Sequence, residues 1–205
     1  MTDVVVTGAD GRTLSRRGQE TRLRVLEAAE KVFGELGYHD ASIVKITEAA
    51  GVGQGTFYLY FGSKKDVFDE LVRDLNGRVR AAMSEGAAKG RNRREIERLG
   101  FQAYFRFTAE HPALYRIIRQ AEFVSPEMLH YHYERLSHGY VEGLVRAMDA
   151  GEIERGDPEV IAWALMGIGE LLGMKWILWG DESEMPDAVF AEIARIIDSV
   201  LGVGE

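Results

Sequence analysis

An all-α protein is what this chain of 205 residues predicts, and three observations carry the prediction. Apolar residues recur every three or four positions along most of the length, which is the repeat of a one-sided helix. Only four prolines occur, and at least three stand where a helical stretch should begin; a proline at the first helical position forfeits no hydrogen bond. No strand-like alternation and no internal repeat stands out.

Residues 1–15 mix Val, Thr, Gly and Asp without helical periodicity and read as a flexible arm, with Arg12, Arg16 and Arg17 at its inner end. A first helix is expected over residues 19–36, with Leu26, Ala29, Val32, Phe33 and Leu36 facing inward and Gly37 as its stop. A short second helix carries Ile43, Ile46 and Ala50. Gly51 ends it, because the left-handed turn needed there is free of steric cost only for glycine. A third helix of about two turns follows over residues 54–60, with Phe57 and Phe61 on one side and Thr56, Tyr58 and Tyr60 facing outward. Two short helices joined by a tight glycine turn form a helix-turn-helix, whose second helix enters the major groove of DNA. Ser63 and Asp66 then make a capping pattern in front of a fourth helix, and Lys64 and Lys65 are expected to face the same phosphates.

The run AGVGQGTFYLYFGSKKDVF resembles the DNA-binding signature of the TetR/AcrR family of bacterial transcription regulators, and TRLRVLEAAEKVFGELGY resembles that family's first helix. The match covers roughly residues 20–70. It implies an N-terminal three-helix DNA-binding head over residues 16–66 and a helical body for ligand binding and dimerisation over residues 67–205. It also implies that Thr56, Tyr58 and Lys64 touch phosphate. Gly53 and Gln54 stand where the family often has Ser and Lys, and Leu59 where it often has His. Gln54 is the best base reader, since an amide bonds adenine at two points. Lys45, Gly55, Tyr60 and Lys65 complete the expected DNA-contacting set.

The net charge of −8 is unusual for a DNA binder, but it is unevenly spread. Residues 12–66 hold nine Lys/Arg and seven Asp/Glu, and residues 1–66 sum to zero, so the whole excess of acid lies in the body. A locally basic face on an acidic body still attracts DNA and orients its approach. There is no cysteine, which excludes disulfides and thiolate metal sites and suits a reducing compartment. No signal peptide is visible, and the expected location is cytoplasmic, with no membrane partner. The apolar stretch at residues 160–179 contains Glu170 and Lys175 and reads as a buried or interface helix.

The body reads as five helices, beginning near Arg94, Pro112, Pro126, Pro158 and Pro186. The fourth of these is apolar on nearly every side and must be covered all round. A second copy of the chain would cover it, so a homodimer is expected through residues 158–179 and 186–201, with Trp176, Phe190, Ile193 and Ile197 in the interface. Tyr104, Phe107, Tyr133, Tyr140, Trp163, Met166 and Glu170 are candidates to line an effector cavity. Plain core is the competing reading for each aromatic. Glu170 in particular needs a partner: an arginine of the body, the dimer mate or a ligand. His130 and His132 are two apart on a helix and cannot share an ion, so no metal is expected; no catalytic grouping and no cofactor is expected either.

The leading function is therefore a ligand-responsive repressor that binds a palindromic operator as a dimer and is released by a small, largely apolar effector. A small helical enzyme and a ligand-free structural DNA-binding dimer are the alternatives. Aromatic drugs and acyl thioesters both suit such a body. The thioesters would want basic residues at the mouth, for which Arg106, Arg116 and Arg119 are candidates.

Overall fold

The computed structural model describes residues 7–180 and 184–202. Nine α-helices follow one another, with no strand among the described residues. They are α1 (Arg16–Asp40), α2 (Ile43–Ala50), α3 (Gln54–Tyr58), α4 (Lys64–Ala87), α5 (Arg93–Glu110), α6 (Ala113–Val124), α7 (Pro126–Asp149), α8 (Pro158–Gly173) and α9 (Asp187–Val200). α8 continues into a wider π-helical turn, Met174–Leu178.

The chain divides into two compact units, Met1–Asp74 with Arg116–Leu129, and Leu75–Tyr115 with His130–Glu205. The first unit thus takes in more of α4 than the expected boundary at residue 66 allowed, and it recruits a segment from α6 and α7 that is distant in sequence.

In the first unit, Val25, Ala29, Phe33, Ile46, Phe57 and Phe68 close a core. Phe33 meets the Phe68 ring edge-on at 5.4 Å. Leu36 does not join its stripe and is exposed, because Gly37 (φ 77°) turns the chain out of the helix immediately after it. Arg22 on α1 pairs with Glu70 on α4 at 2.8 Å. The arm is more ordered than its composition suggests. Thr7 and Thr13 form an isolated antiparallel bridge, and Ala9 N–H donates to the Leu59 carbonyl at 2.9 Å. The outermost part of that arm, residues 1–6, lies outside the described residues.

In the second unit, Phe101, Phe105, Leu144, Leu165, Ile193 and Ile197 belong to one core. Asp157 caps α8 by accepting from Glu159 N–H (2.9 Å) and Val160 N–H (3.2 Å), which leaves Pro158 at the first helical position where it costs nothing. Pro158–Leu178 is long and apolar enough to cross a membrane. One side of it, through Ala162, Leu165, Gly169 and Gly173, is buried in this core.

The core placement corrects two expected interface residues. Ile193 is 1% exposed and Ile197 0%, so both face inward within their own subunit. Their spacing of four residues puts them on the stripe that packs against α5 and α8, and α9 presents Ile196 outward instead.

Candidate DNA interface and effector cavity

Ser42 starts α2 by accepting Lys45 N–H on its hydroxyl at 3.2 Å, and Gly51 ends it in the left-handed conformation, φ 65° and ψ 37°. α3 then begins after Gly53 and places Phe57 in the core with none of its surface exposed. The consequence is geometric. With Ile46 and Phe57 pointing inward, Lys45, Gln54 and Gly55 lie at the surface, and Tyr58 is 51% exposed. Thr56 and Tyr60 are half-buried. Lys45 Nζ donates to the Asp40 carbonyl at 3.0 Å, a single surface bond that a phosphate can replace.

The two lysines after the cap are engaged elsewhere. Lys64 Nζ donates to the carbonyls of Tyr38 (2.7 Å) and Ala41 (2.8 Å) and sits 4.3 Å from the centre of the Tyr38 ring. It neutralises the carbonyl-rich end of α1, where a cation is favoured. Lys65 Nζ bonds Asp69 (2.7 Å), Ser125 Oγ (3.0 Å) and Glu127 (2.8 Å). Its bonds to Asp69 and Glu127 raise the ammonium, and in return Lys65 holds the Glu127 carboxyl down to about 2. Both expected phosphate contacts are thus intramolecular bonds that tie α4 to α1 and to the start of α7.

The seven expected cavity residues fall into three places. Tyr104, Tyr133 and Glu170 belong to a cluster of hydroxyls that also includes Tyr115. Tyr133 Oη donates to Glu170 Oε2 at 2.8 Å, which supplies the partner this carboxylate requires. Tyr115 Oη donates to Thr108 Oγ1 at 3.2 Å. Burial raises the Tyr104 phenol well above its ordinary value, with Tyr115 and Glu170 adding to it. Gly169 and Gly173 make room for these rings. A Cβ at Gly169 would stand 3.3 Å from Phe101, and one at Gly173 would overlap the Tyr115 hydroxyl. Trp163 leans on Tyr133 at 5.7 Å but is 46% exposed, so it forms an outer wall at most; Met166 is half-buried beside it on α8. Phe107 is separate from this cluster. It is buried beneath the Arg78 guanidinium and against His111, as part of the packing.

Tyr140 lines a different space, an open cavity of about 370 Å³ among α4, α5 and α7. Its polar wall is Arg80, Arg93, Arg146 and Glu97, and its apolar wall includes Met83, Ile96 and Leu136. Arg93 bonds Glu97 through its guanidinium and, through its backbone N–H, Glu152 at 2.8 Å. Burial pulls the Arg93 guanidinium below its ordinary value. Gly143 does not open space here, because the Arg93 guanidinium lies against it. These basic residues were missed in the sequence. The one signal available was the pairing of Arg93 with Glu97 one turn apart; Arg80 and Arg146 come from other helices. The basic residues proposed for a cavity mouth stand elsewhere. Arg116 donates to the Gly34 carbonyl at 2.9 Å, and Arg106 lines a separate surface pocket.

Comparison with known proteins gives the family and the fold. Residues 25–71 match the signature described as "Bacterial regulatory proteins, tetR family". The chain is 30% identical over 189 residues to the HTH-type transcriptional regulator YdgC of Bacillus subtilis, covering 90% of this chain and 94% of that protein. It is also 30% identical over 139 residues to the fatty acid metabolism regulator protein of the same organism, covering 65% and 71% of the two. Among solved structures, a TetR-family regulator from Rhodococcus superposes with a TM-score of 0.77 at 21% identity, over 89% of this chain and 99% of that one. The Bacillus subtilis regulator FadR in complex with stearoyl-CoA superposes at 0.68 with 23% identity, over 89% and 99%. The chain belongs to the TetR family of bacterial regulatory proteins: it is a helix-turn-helix, DNA-binding transcriptional regulator.

Proposed function

We propose that this regulator represses transcription by binding a palindromic operator as a homodimer, and that a small, largely apolar effector entering the second unit releases it. The observation that carries the DNA reading is the division of α2 and α3 into a buried face (Ile46, Phe57) and an open polar one (Lys45, Gln54, Gly55, Tyr58). Gln54 reads a base edge, while Lys45, Thr56, Tyr58 and Tyr60 hold phosphate. The protein works in the cytoplasm, where the DNA is.

The dimer reading rests on the outer side of α8. Val160 (65% exposed), Trp163 and Leu171 (62%) recur at helical spacing, and Ile196 on α9 adds to the apolar surface. Nothing covers Gly167 on the same helix within 4 Å of a built Cβ, which leaves room for a close neighbour. A self-complementary patch of this kind favours a two-fold pair. The effector reading is supported by the similarity to a fatty acid metabolism regulator and by the stearoyl-CoA held by the structurally similar FadR.

The test is selection of bound sequences from random duplex DNA, followed by fluorescence anisotropy with and without long-chain acyl thioesters. The expected result is an inverted-repeat site and weaker binding when the effector is present. Binding with no sequence preference at physiological salt would return the protein to the structural DNA-binding alternative.

A further inference from the structure

The charge of the second cavity runs against that of the body around it. The cavity lining holds three guanidiniums, those of Arg80, Arg93 and Arg146, and one carboxylate, Glu97, in a part of the chain where acid predominates. Outside the lining, Glu142 stands 4.0 Å from Arg146, and Glu152 accepts the Arg93 backbone N–H. Arg93 is only 8% exposed, and its Nε has no acceptor. A buried charged donor without an acceptor is costly, and most such groups in proteins find one. On the opposite wall Met83, Ile96 and Leu136 offer apolar surface, and the volume of about 370 Å³ falls in the range of small-molecule sites.

We propose that this cavity binds an amphiphilic anion, with the arginines holding a carboxylate or phosphate and the apolar wall holding a hydrocarbon tail. The inference deepens the effector reading above and rests on it. It assigns the head group to Arg80, Arg93 and Arg146 rather than to Arg106, Arg116 or Arg119. Guanidinium forks suit both carboxylate and phosphate oxygens, so a fatty carboxylate and an acyl thioester bearing phosphates share the recognition chemistry. Gly139 lines the same space, and a Cβ built there meets nothing within 4 Å, so a side chain added at that position would fill the cavity.

The experiment is calorimetric titration of the full chain with dodecanoate, dodecanoyl-CoA, dodecanol and coenzyme A. At least one of the two amphiphilic anions should bind ten- to a hundredfold more tightly than dodecanol. Preference for dodecanoate assigns a carboxylate head; a requirement for dodecanoyl-CoA assigns a phosphate-bearing one. The Arg80→Ala/Arg146→Ala double variant leaves the buried Arg93–Glu97 pair intact. It should lose about ten- to a hundredfold for the anion and nothing for dodecanol. Gly139→Leu should abolish binding of every probe while helix content stays unchanged. Equal affinity for dodecanol and the anions, an unchanged double variant, or undiminished binding to Gly139→Leu would each overturn the assignment. DNA affinity is measured separately: anion binding through the arginines without DNA release would keep this site and defeat only the proposed response.

Discussion

His132 illustrates how a single buried side chain sets a pH limit. Asn76 on α4 donates its amide to the His132 ring Nδ1 (3.1 Å) and to the His132 carbonyl (3.0 Å), so the neutral ring carries its proton on Nε2. The reversed amide would set its oxygen against that carbonyl. Burial lowers this imidazole from 6.5 to about 4. The unfolded chain therefore takes up a proton at a higher pH than the folded one, and stability falls as pH drops from about 6.5 towards 4. The loss should reach up to about 3 kcal/mol. Urea melts at intervals of pH would reveal it, and His132→Gln should flatten that acid limb.

At the same scale, Lys64→Ala should act on stability rather than on DNA. Its carbonyl partners lose a charged donor, at a cost of about 1–3 kcal/mol in thermal or denaturant melts. The salt dependence of DNA affinity should keep its slope. Lys45→Ala should do the reverse, lowering that slope by about one unit with little change in melting. Were the Lys64→Ala slope to fall by one unit, the ammonium would have to leave α1 when DNA binds.

Among the elements, α8 and α9 carry separate messages on their two sides. Leu171→Glu combined with Val160→Glu leaves the core intact and sets like charges into the proposed symmetric patch. A folded monomer by light scattering is the expected outcome. Ile193→Arg would instead place an unpaired cation inside the subunit, where the cost is several kcal/mol, and the chain should unfold rather than dissociate. In α3 a comparable division holds. Phe57→Ala should cost about 3–5 kcal/mol through the cavity it leaves, whereas Gln54→Ala should leave melting unchanged and relax base preference at one operator position.

For the whole molecule, effector and operator must be coupled reciprocally. If the effector weakens DNA binding by some factor, DNA weakens effector binding by the same factor. A coupling of about 1–3 kcal/mol is the usual size, a change of roughly five- to 150-fold. α4, α6 and α7 are the covalent routes for such coupling, since the division between the two units falls within each of them. Titration of one effector with and without saturating operator checks the prediction. Equal affinities would leave the effector bound but without regulatory effect.

The head was legible in the sequence because its determinants are local. Ser42, Gly51, Ser63 and the pair Phe57 and Phe61 act within a few residues of one another, and capping, left-handed turns and helical periodicity need no distant partner. The helices of the body were legible for the same reason: α6 to α9 each begin at or just after a proline, and α5 begins behind the Asn92 cap. Which face of α9 is buried was not legible, because Ile193, Ile196 and Ile197 are alike in chemistry and only packing against α5 and α8 separates them. The bonds of Lys64 to a carbonyl 26 residues away and of Lys65 to a carboxylate 62 residues away were hidden too. The arginine-lined cavity is the furthest case. Arg80, Arg93 and Arg146 lie on three helices, and only tertiary structure, by setting α4, α5 and α7 side by side, brings the three separate charges to one cavity. Local chemistry decided the elements and the DNA-reading motif; long-range packing decided which charges are free and which are already bound.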